Sequence, residues 1–375
     1  MSTVSVLHIT GARPNFPKAA PVIRALDRHG VAQRLVHTGQ HYDERMSEVF
    51  FRQLGLPEPD ENLAVGSGSH ARQTADMMVR LEAYFQDVRP DLVVVYGDVN
   101  STLAATLVAT KLAIAVAHVE AGLRSFNRSM PEEVNRLVTD RLSDLLFATS
   151  PDALVHLGNE GIAAEKVFFV GNPMIDTLLA NLDRFEAATI RDQLGLPERY
   201  VVATLHRPAN VDDPADAAEL AKAMHGVADQ IQVVLPLHPR GRQRLAAAGL
   251  FPHPGIRVVE PLGYLEFLGL VRGAQAVVTD SGGVQEETTV LGVPCLTLRA
   301  ETERPVTITH GTNRLVTRAG LIDEVRALLT AGRRAGDWPV PPLWDGRAGE
   351  RIAEVIAGFL SCACRSANDR AGGRR

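Results

Sequence analysis

The chain has 375 residues, more than one hydrophobic core usually organises, so two domains are expected. It is 45% hydrophobic and 22% charged, an ordinary soluble composition, and a net charge of -5 offers nothing for nucleic acid or an anionic membrane to bind. The three cysteines, Cys295, Cys362 and Cys364, are too few for a disulfide framework and suit a reducing cytoplasm.

No basic leader precedes the first strand candidate, and no apolar run reaches the roughly 20 residues a membrane helix needs. Short β-branched runs alternate with amphipathic stretches from end to end. In the first half the strand candidates are "VSVLHIT", "QRLVHTG", "DLVVVYG", "AVAHVEA", "DLLFATS" and "KVFFVGN". After residue 180 they are "YVVATLH", "IQVVLPLH", "IRVVEP", "AVVTDSG" and "CLTLRAE". Fully apolar strands separated by helices predict parallel sheets covered on both faces. The order of "DLVVVYGDVNSTLAATLVATKLAIAVAHVEAG" is strand, aspartate-bearing turn, helix, then an acid-terminated strand. It recurs in "AQAVVTDSGGVQEETTVLGVPCLTLRAETER". The expectation is an α/β protein of two Rossmann-like domains, 1–174 and 175–362, with the polar end 363–375 a disordered tail. Ligands of open parallel sheets sit beyond the carboxyl ends of the strands, which puts the chemistry in a cleft between the domains.

The motifs follow in chain order. "GARPNFPK" (11–18) succeeds the first strand, so Arg13 and Lys18 can meet phosphate oxygens; the alternative is a solvated basic loop. "GSGSHA" (66–71) fits a dinucleotide fingerprint but lacks a strong strand before it, and a plain loop is expected. "YGDVNST" ends the most apolar strand of the first half on Asp98, either a reacting acid or a cap for the next helix. Glu120 ends the neighbouring strand. A helix is predicted across "SMPEEVNRLVTDRLSDLL", with Pro131 in its first turn and Val134, Leu137, Val138, Leu142 and Leu145 forming its apolar face. Ser129 and Glu132 have capping-box spacing, so Glu132 is either a reacting acid or a cap. Glu133, turned about 100° away, is expected at the helix surface or in a salt bridge.

In the second half, "TLHRPAN" places His206 and Arg207 at a strand's carboxyl end, suited to an anion. "TDSGGVQEE" carries the strongest local signal. Ser281, Gly282 and Gly283 turn a strand into a helix whose unpaired N–H groups and dipole form an anion site. Glu287 could accept two hydrogen bonds from a ribose diol, while Glu286 suits the dipole alone. Carboxylates in one half and a nucleoside-diphosphate clamp in the other indicate a nucleotide sugar. No metal cluster, triad or Walker loop is visible in the sequence.

These blocks, with "TGQHYDERM", "MPEEVNR", "GNPMIDTL", "ETERP" and "GTNRLV", resemble the non-hydrolysing bacterial UDP-N-acetylglucosamine 2-epimerases over residues 4–360. The resemblance implies a GT-B-like fold, a homodimer, no cofactor and no metal. It implies inversion at C2 of UDP-GlcNAc: UDP leaves C1 as the C2 proton is removed, and adds back to the bound 2-acetamidoglucal to give UDP-ManNAc. Carried over residue by residue, it makes Asp98, Glu120 and Glu132 the acid/base carboxylates and sets Arg13, Lys18 and His206 near the phosphates. Ser281, Gly282 and Gly283 become the phosphate turn, Glu287 the ribose acid, Phe267 an aromatic near uracil and Arg304 a further anion contact. The chain departs from the commoner "GTRPEAIK" with Asn15-Phe16-Pro17, from "HRRE" with "HRPANVDD", and from "REML" with "YDERM". Alternatives are a hydrolysing relative that releases ManNAc and UDP, a 2-epimerase of a 3-acetamido or uronate sugar, a GT-B glycosyltransferase, and a silent nucleotide-sugar binder.

Overall fold

The computed structural model describes residues 5–39, 44–205, 213–237, 239–332 and 339–372. The chain divides into two compact units, Met1–Ala180 with Pro342–Arg375, and Asn181–Pro341.

The first unit is built on seven parallel strands: β1 (Val6–Thr10), β2 (Gln33–His37), β3 (Glu61–Asn62), β4 (Leu92–Tyr96), β5 (Ala115–Ala121), β6 (Leu145–Ala148) and β7 (Val167–Phe169). Their spatial order is β3-β2-β1-β4-β5-β6-β7. Every residue of β1 and β4 is buried, which is why these runs are apolar throughout rather than alternating. Leu7, Val93 and Val95 pack one face against Met77, Leu81 and Phe85 of the helix His70–Val88.

The second unit repeats the design with β8 (Tyr200–Thr204), β9 (Gln232–Pro236), β10 (Ile256–Val259), β11 (Ala276–Thr279), β12 (Cys295–Thr297) and β13 (Asn313–Leu315). These are parallel in the order β10-β9-β8-β11-β12-β13. In each unit the strand order reverses beside the first strand, at β1/β4 and at β8/β11. A ligand crevice is expected at the carboxyl ends of those pairs. Strands β3 and β13 were not among the sequence candidates, being two and three residues long and largely polar.

The units divide differently from the sequence expectation. The first extends to Ala180, and from Pro342 the chain returns to it. Trp344 is buried there, its indole N–H donating to the Thr149 carbonyl at 2.9 Å. The helix Ala348–Gly372 packs beside the helix Phe16–Arg28, and a Cβ at Gly349 would lie 2.7 Å from the Pro21 carbonyl oxygen. That helix continues to Gly372, where a tail was expected from residue 363. None of the described helices is long and apolar enough to cross a membrane.

Asp176 fastens the returning segment, accepting from the N–H groups of Ala348 at 3.1 Å and Gly349 at 2.7 Å. Burial pushes its carboxyl up to about 6, outweighing the pull of the two N–H groups. A folded-state value above the ordinary 3.8 gives stability that is full below that pH and lost as pH rises through about 6. Asp176→Asn removes the titration, so the variant should gain about 2–3 kcal/mol on the wild type between pH 4 and pH 7. Urea titrations at the two pH values check this; an unchanged difference contradicts it.

Candidate active site

The carboxyl ends of β1, β4 and β5 bring three of the predicted residues together. Asn15 stitches the first two strands: its Oδ1 accepts from Gly11 N–H and Ala12 N–H at 3.0 Å, and its Nδ2 donates to the Tyr96 carbonyl at 2.8 Å. The same position that departs from the commoner family pattern thus has a backbone-holding role that a carboxylate could not fill, since it needs a donor. Lys18, one turn into the helix, is buried and forms an ion pair with the buried Glu120. Arg13 is half-buried, with its guanidinium 6.0 Å from the centroid of the Phe50 ring.

Gly97 turns with φ of +65°, and a Cβ there would lie 3.0 Å from Lys18 Nζ and 3.1 Å from Glu120 Oε2. Only glycine lets the backbone run this close to the ion pair. Asp98 follows, its carboxylate accepting from Arg136 Nη1 at 2.5 Å and its carbonyl from Asn135 Nδ2 at 2.8 Å. It is not the cap of the next helix, whose N-cap is Val99. Glu120 has a φ of +76°, and the β5/β6 register shifts between Val119 and Ala121. The irregularity breaks the alternation of the strand and re-aims Glu120. Left-handed backbone at a non-glycine residue costs about 1–2 kcal/mol and persists only where surroundings enforce it.

The helix Pro131–Leu142 turns a different face inward from the one predicted, leaving Leu137, Val138 and Leu142 half-buried, and it ends before Leu145, which begins β6. Glu133, Asn135, Arg136, Thr139 and Asp140 are its buried residues, while Val134 is 44% exposed. Glu133 is 1% exposed and lies on the inner face, not the helix surface. It accepts from Ser125 N–H at 3.0 Å and Phe126 N–H at 2.9 Å and pairs with Arg136 at 2.5 Å. Burial alone would raise its carboxyl, but those N–H donors and the guanidinium hold it below the ordinary range. The capping box does not form. Met130 is the N-cap, and Ser129 Oγ donates to Asn127 Oδ1 at 2.6 Å. Glu132 is therefore at the second helical position, half-buried, and hydrogen-bonds no other side chain among the described residues. It is one turn from Arg136.

Arg136, Asn135, Asp140, His118 and Arg124 were missed by sequence reasoning. The signal was present in the spacing of Glu133, Arg136 and Asp140, a charged set at i, i+3 and i+7 that marks one helix face as surely as leucines would. Asp140 is fully buried with His118 and Arg124. Burial alone would raise its carboxyl; the charges and hydrogen bonds of His118 and Arg124 hold it below the ordinary value.

In the second unit, the helix Gly282–Leu291 begins directly after Ser281, so the two glycines lie in its first turn. The Ser281 N–H donates to Thr279 Oγ1 at 2.9 Å, and the first-turn N–H groups have no intrahelical acceptor. A Cβ at Gly282 would lie 2.4 Å from Arg304 Nη1, so glycine admits the guanidinium to the helix mouth. Arg304 pairs with Glu286, 3.0 Å away, and with Glu303. Gln285 Oε1 accepts from Thr302 Oγ1 at 2.7 Å and Asn313 Nδ2 at 2.9 Å, fixing the "ETERP" loop and β13 to this helix. Glu287 is buried, and its charge adds to the burial that raises the Tyr264 hydroxyl well above its ordinary value. Phe267, on the same helix as Tyr264, packs partly buried against the core around Leu270 and Val284. His206 and Arg207 lie outside the described residues. Among the described residues no group of three or more His, Cys, Asp or Glu side chains is placed to hold a metal ion.

A family model described as UDP-N-acetylglucosamine 2-epimerase matches residues 24–357. The UDP-N-acetylglucosamine 2-epimerase of Methanocaldococcus jannaschii is 42% identical over 363 residues, which cover 93% of this chain and 97% of that relative. The UDP-2,3-diacetamido-2,3-dideoxy-D-glucuronate 2-epimerase of Pseudomonas aeruginosa is 41% identical over 358 residues, covering 94% and 99%. The crystal structure of the Methanocaldococcus jannaschii UDP-GlcNAc 2-epimerase in complex with UDP-GlcNAc and UDP superposes with a TM-score of 0.88 at 42% identity, covering 94% of this chain and 99% of that one.

Proposed function

Because the chain belongs to the UDP-N-acetylglucosamine 2-epimerase family, we propose that it is a non-hydrolysing epimerase that interconverts UDP-GlcNAc and UDP-ManNAc. The observation that carries this reading is Glu120, a buried carboxylate on left-handed backbone, paired with Lys18 beside the Gly97–Asp98 turn. Strain of this kind marks a side chain whose aim matters.

In the proposed reaction a carboxylate takes the C2 proton. The C2–H electrons form the C1=C2 bond, and UDP leaves with the C1–O pair, giving 2-acetamidoglucal. A second carboxyl group, in its protonated form, then gives its proton to C2 from the opposite face, the C1=C2 electrons forming the new C2–H bond as a diphosphate oxygen re-forms the bond to C1. Asp98, Glu120 and Glu132 share these transfers. The C2 proton is not next to a carbonyl, so departure of UDP has to build cationic character at C1. Arg13, Lys18, His206, Arg207, Arg304, the Ser281 side chain and the N–H groups of Gly282 and Gly283 stabilise the departing diphosphate. Glu287 takes the ribose and Phe267 the uracil. The enzyme works in the cytoplasm as a homodimer, without a cofactor.

Nuclear magnetic resonance of a UDP-GlcNAc incubation tests the assignment. UDP-ManNAc should appear while total nucleotide sugar stays constant; accumulation of free N-acetylmannosamine and UDP would establish the hydrolysing outcome instead. The Pseudomonas aeruginosa relative, nearly as similar as the Methanocaldococcus jannaschii one, favours a second reading in which the sugar is a 2,3-diacetamido uronate. Conversion of that nucleotide sugar alone would select it. Glu132→Gln should lower turnover about 10²–10⁴-fold while unfolding remains cooperative, because the carboxylate holds no cap. Full activity in this variant would remove Glu132 from the reaction.

A further inference from the structure

The strand β5 is held on both sides of Glu120 by a single carboxylate. Asp140 Oδ1 lies 2.6 Å from His118 Nδ1, two residues before Glu120, and Asp140 Oδ2 accepts from Gly122 N–H at 3.0 Å, two residues after it. The register irregularity falls between these anchors. The other nitrogen of His118, Nε2, donates to the Gly97 carbonyl at 2.8 Å, and Gly97 N–H donates to the Val119 carbonyl at 3.0 Å. Gly97 is thus bound through both its backbone groups to β5, immediately before Asp98. Arg124 closes the network from behind, 2.7 Å from Asp140 Oδ2 and bidentate to Glu160 at 2.7 Å.

We propose that His118 and Asp140 are positioning residues, which fix Glu120 in its left-handed conformation and lock the Gly97–Asp98 turn to it. Both ring nitrogens of His118 face acceptors, so the ring serves as a two-ended donor between Asp140 and the turn. A carboxylate that orients an imidazole, which in turn fixes a working group, is a recurring arrangement behind reactive sites. Neither residue touches the substrate in this account. Their effect runs through the relative placement of two carboxylates, and it rests on the reading that Asp98 and Glu120 carry the proton transfers.

The test compares Asp140→Asn, His118→Gln and the double variant with Asp98→Asn and Glu120→Gln. It measures kcat and KM for epimerisation, UDP affinity by calorimetry and urea unfolding. Asn at 140 can still accept from Gly122 N–H, and Gln at 118 can still donate at one end, so each single variant keeps part of the clamp. The expected result is a fall in kcat of about 10–100-fold in each single variant, with KM and UDP affinity within about threefold of wild type. The double variant should be no slower than the slower single, because both changes break one device. The proposal is overturned if kcat stays near wild type in both singles while Asp98→Asn and Glu120→Gln are inactive. It is equally overturned if kcat and UDP affinity fall together and the losses multiply in the double. Full activity in Asp98→Asn and Glu120→Gln would instead remove the acid–base reading, and this inference with it.

Discussion

Glu120→Gln is expected to lower kcat by about 10²–10⁴-fold while UDP still binds. Two effects of the substitution have to be separated. The amide cannot take a proton, and it also leaves Lys18, which is 5% exposed, without its buried counter-charge. Breaking a buried pair costs about 3–5 kcal/mol, a large part of the 5–15 kcal/mol by which ordinary domains are stable. A protein of about 10 kcal/mol would remain almost wholly folded after that loss, so unfolding cannot account for a hundredfold drop in turnover. Urea unfolding and kcat measured on one preparation separate the two. A variant that is destabilised yet keeps its turnover would show that Glu120 serves only the fold.

Arg136→Met should destabilise the first unit by about 3–5 kcal/mol. Arg136 is 2% exposed and compensates two acids at once, Asp98 and Glu133. Methionine fills much of the volume but leaves Glu133 ionised and buried with no cationic partner, held only by the Ser125 and Phe126 N–H groups and the Ser125 hydroxyl. The acid response should change as well. The folded-state value of Glu133 lies below its ordinary 4.5, so its stabilisation is present above that pH and lost as pH falls through the lower folded value. Removing the guanidinium shrinks that gap, so urea midpoints of the variant should fall less than those of the wild type on going from pH 7 to pH 4. A variant with wild-type midpoints at pH 7 would contradict the assigned role.

The sheets were legible in the sequence because fully buried parallel strands are written as unbroken apolar runs, as in "LVVVY". The turns that carry Asp98 and Ser281 were legible for the same reason, since each lies where such a run stops. The helix Pro131–Leu142 misled because its inward face is charged. Hydrophobic periodicity assigns leucine and valine to the core, whereas here Glu133, Arg136 and Asp140 are satisfied by each other and by the strand beside them. Pair partners such as Lys18 with Glu120 are 102 residues apart, and no local pattern discloses them. Nor does any pattern show that Glu120 has left-handed backbone. The return of Pro342 onward to the first unit was equally hidden, because it depends on Trp344 and Asp176 finding partners far away in the chain.

The most direct test of the central claim is to incubate the wild-type enzyme with UDP-GlcNAc in D2O and follow the C2 position by proton magnetic resonance. Elimination and re-addition predict UDP-ManNAc carrying deuterium at C2, with the H2 signal of the returning UDP-GlcNAc fading as equilibrium is approached. UDP-ManNAc that keeps its original C2 hydrogen, or UDP-GlcNAc that remains unexchanged and unconverted, would contradict it.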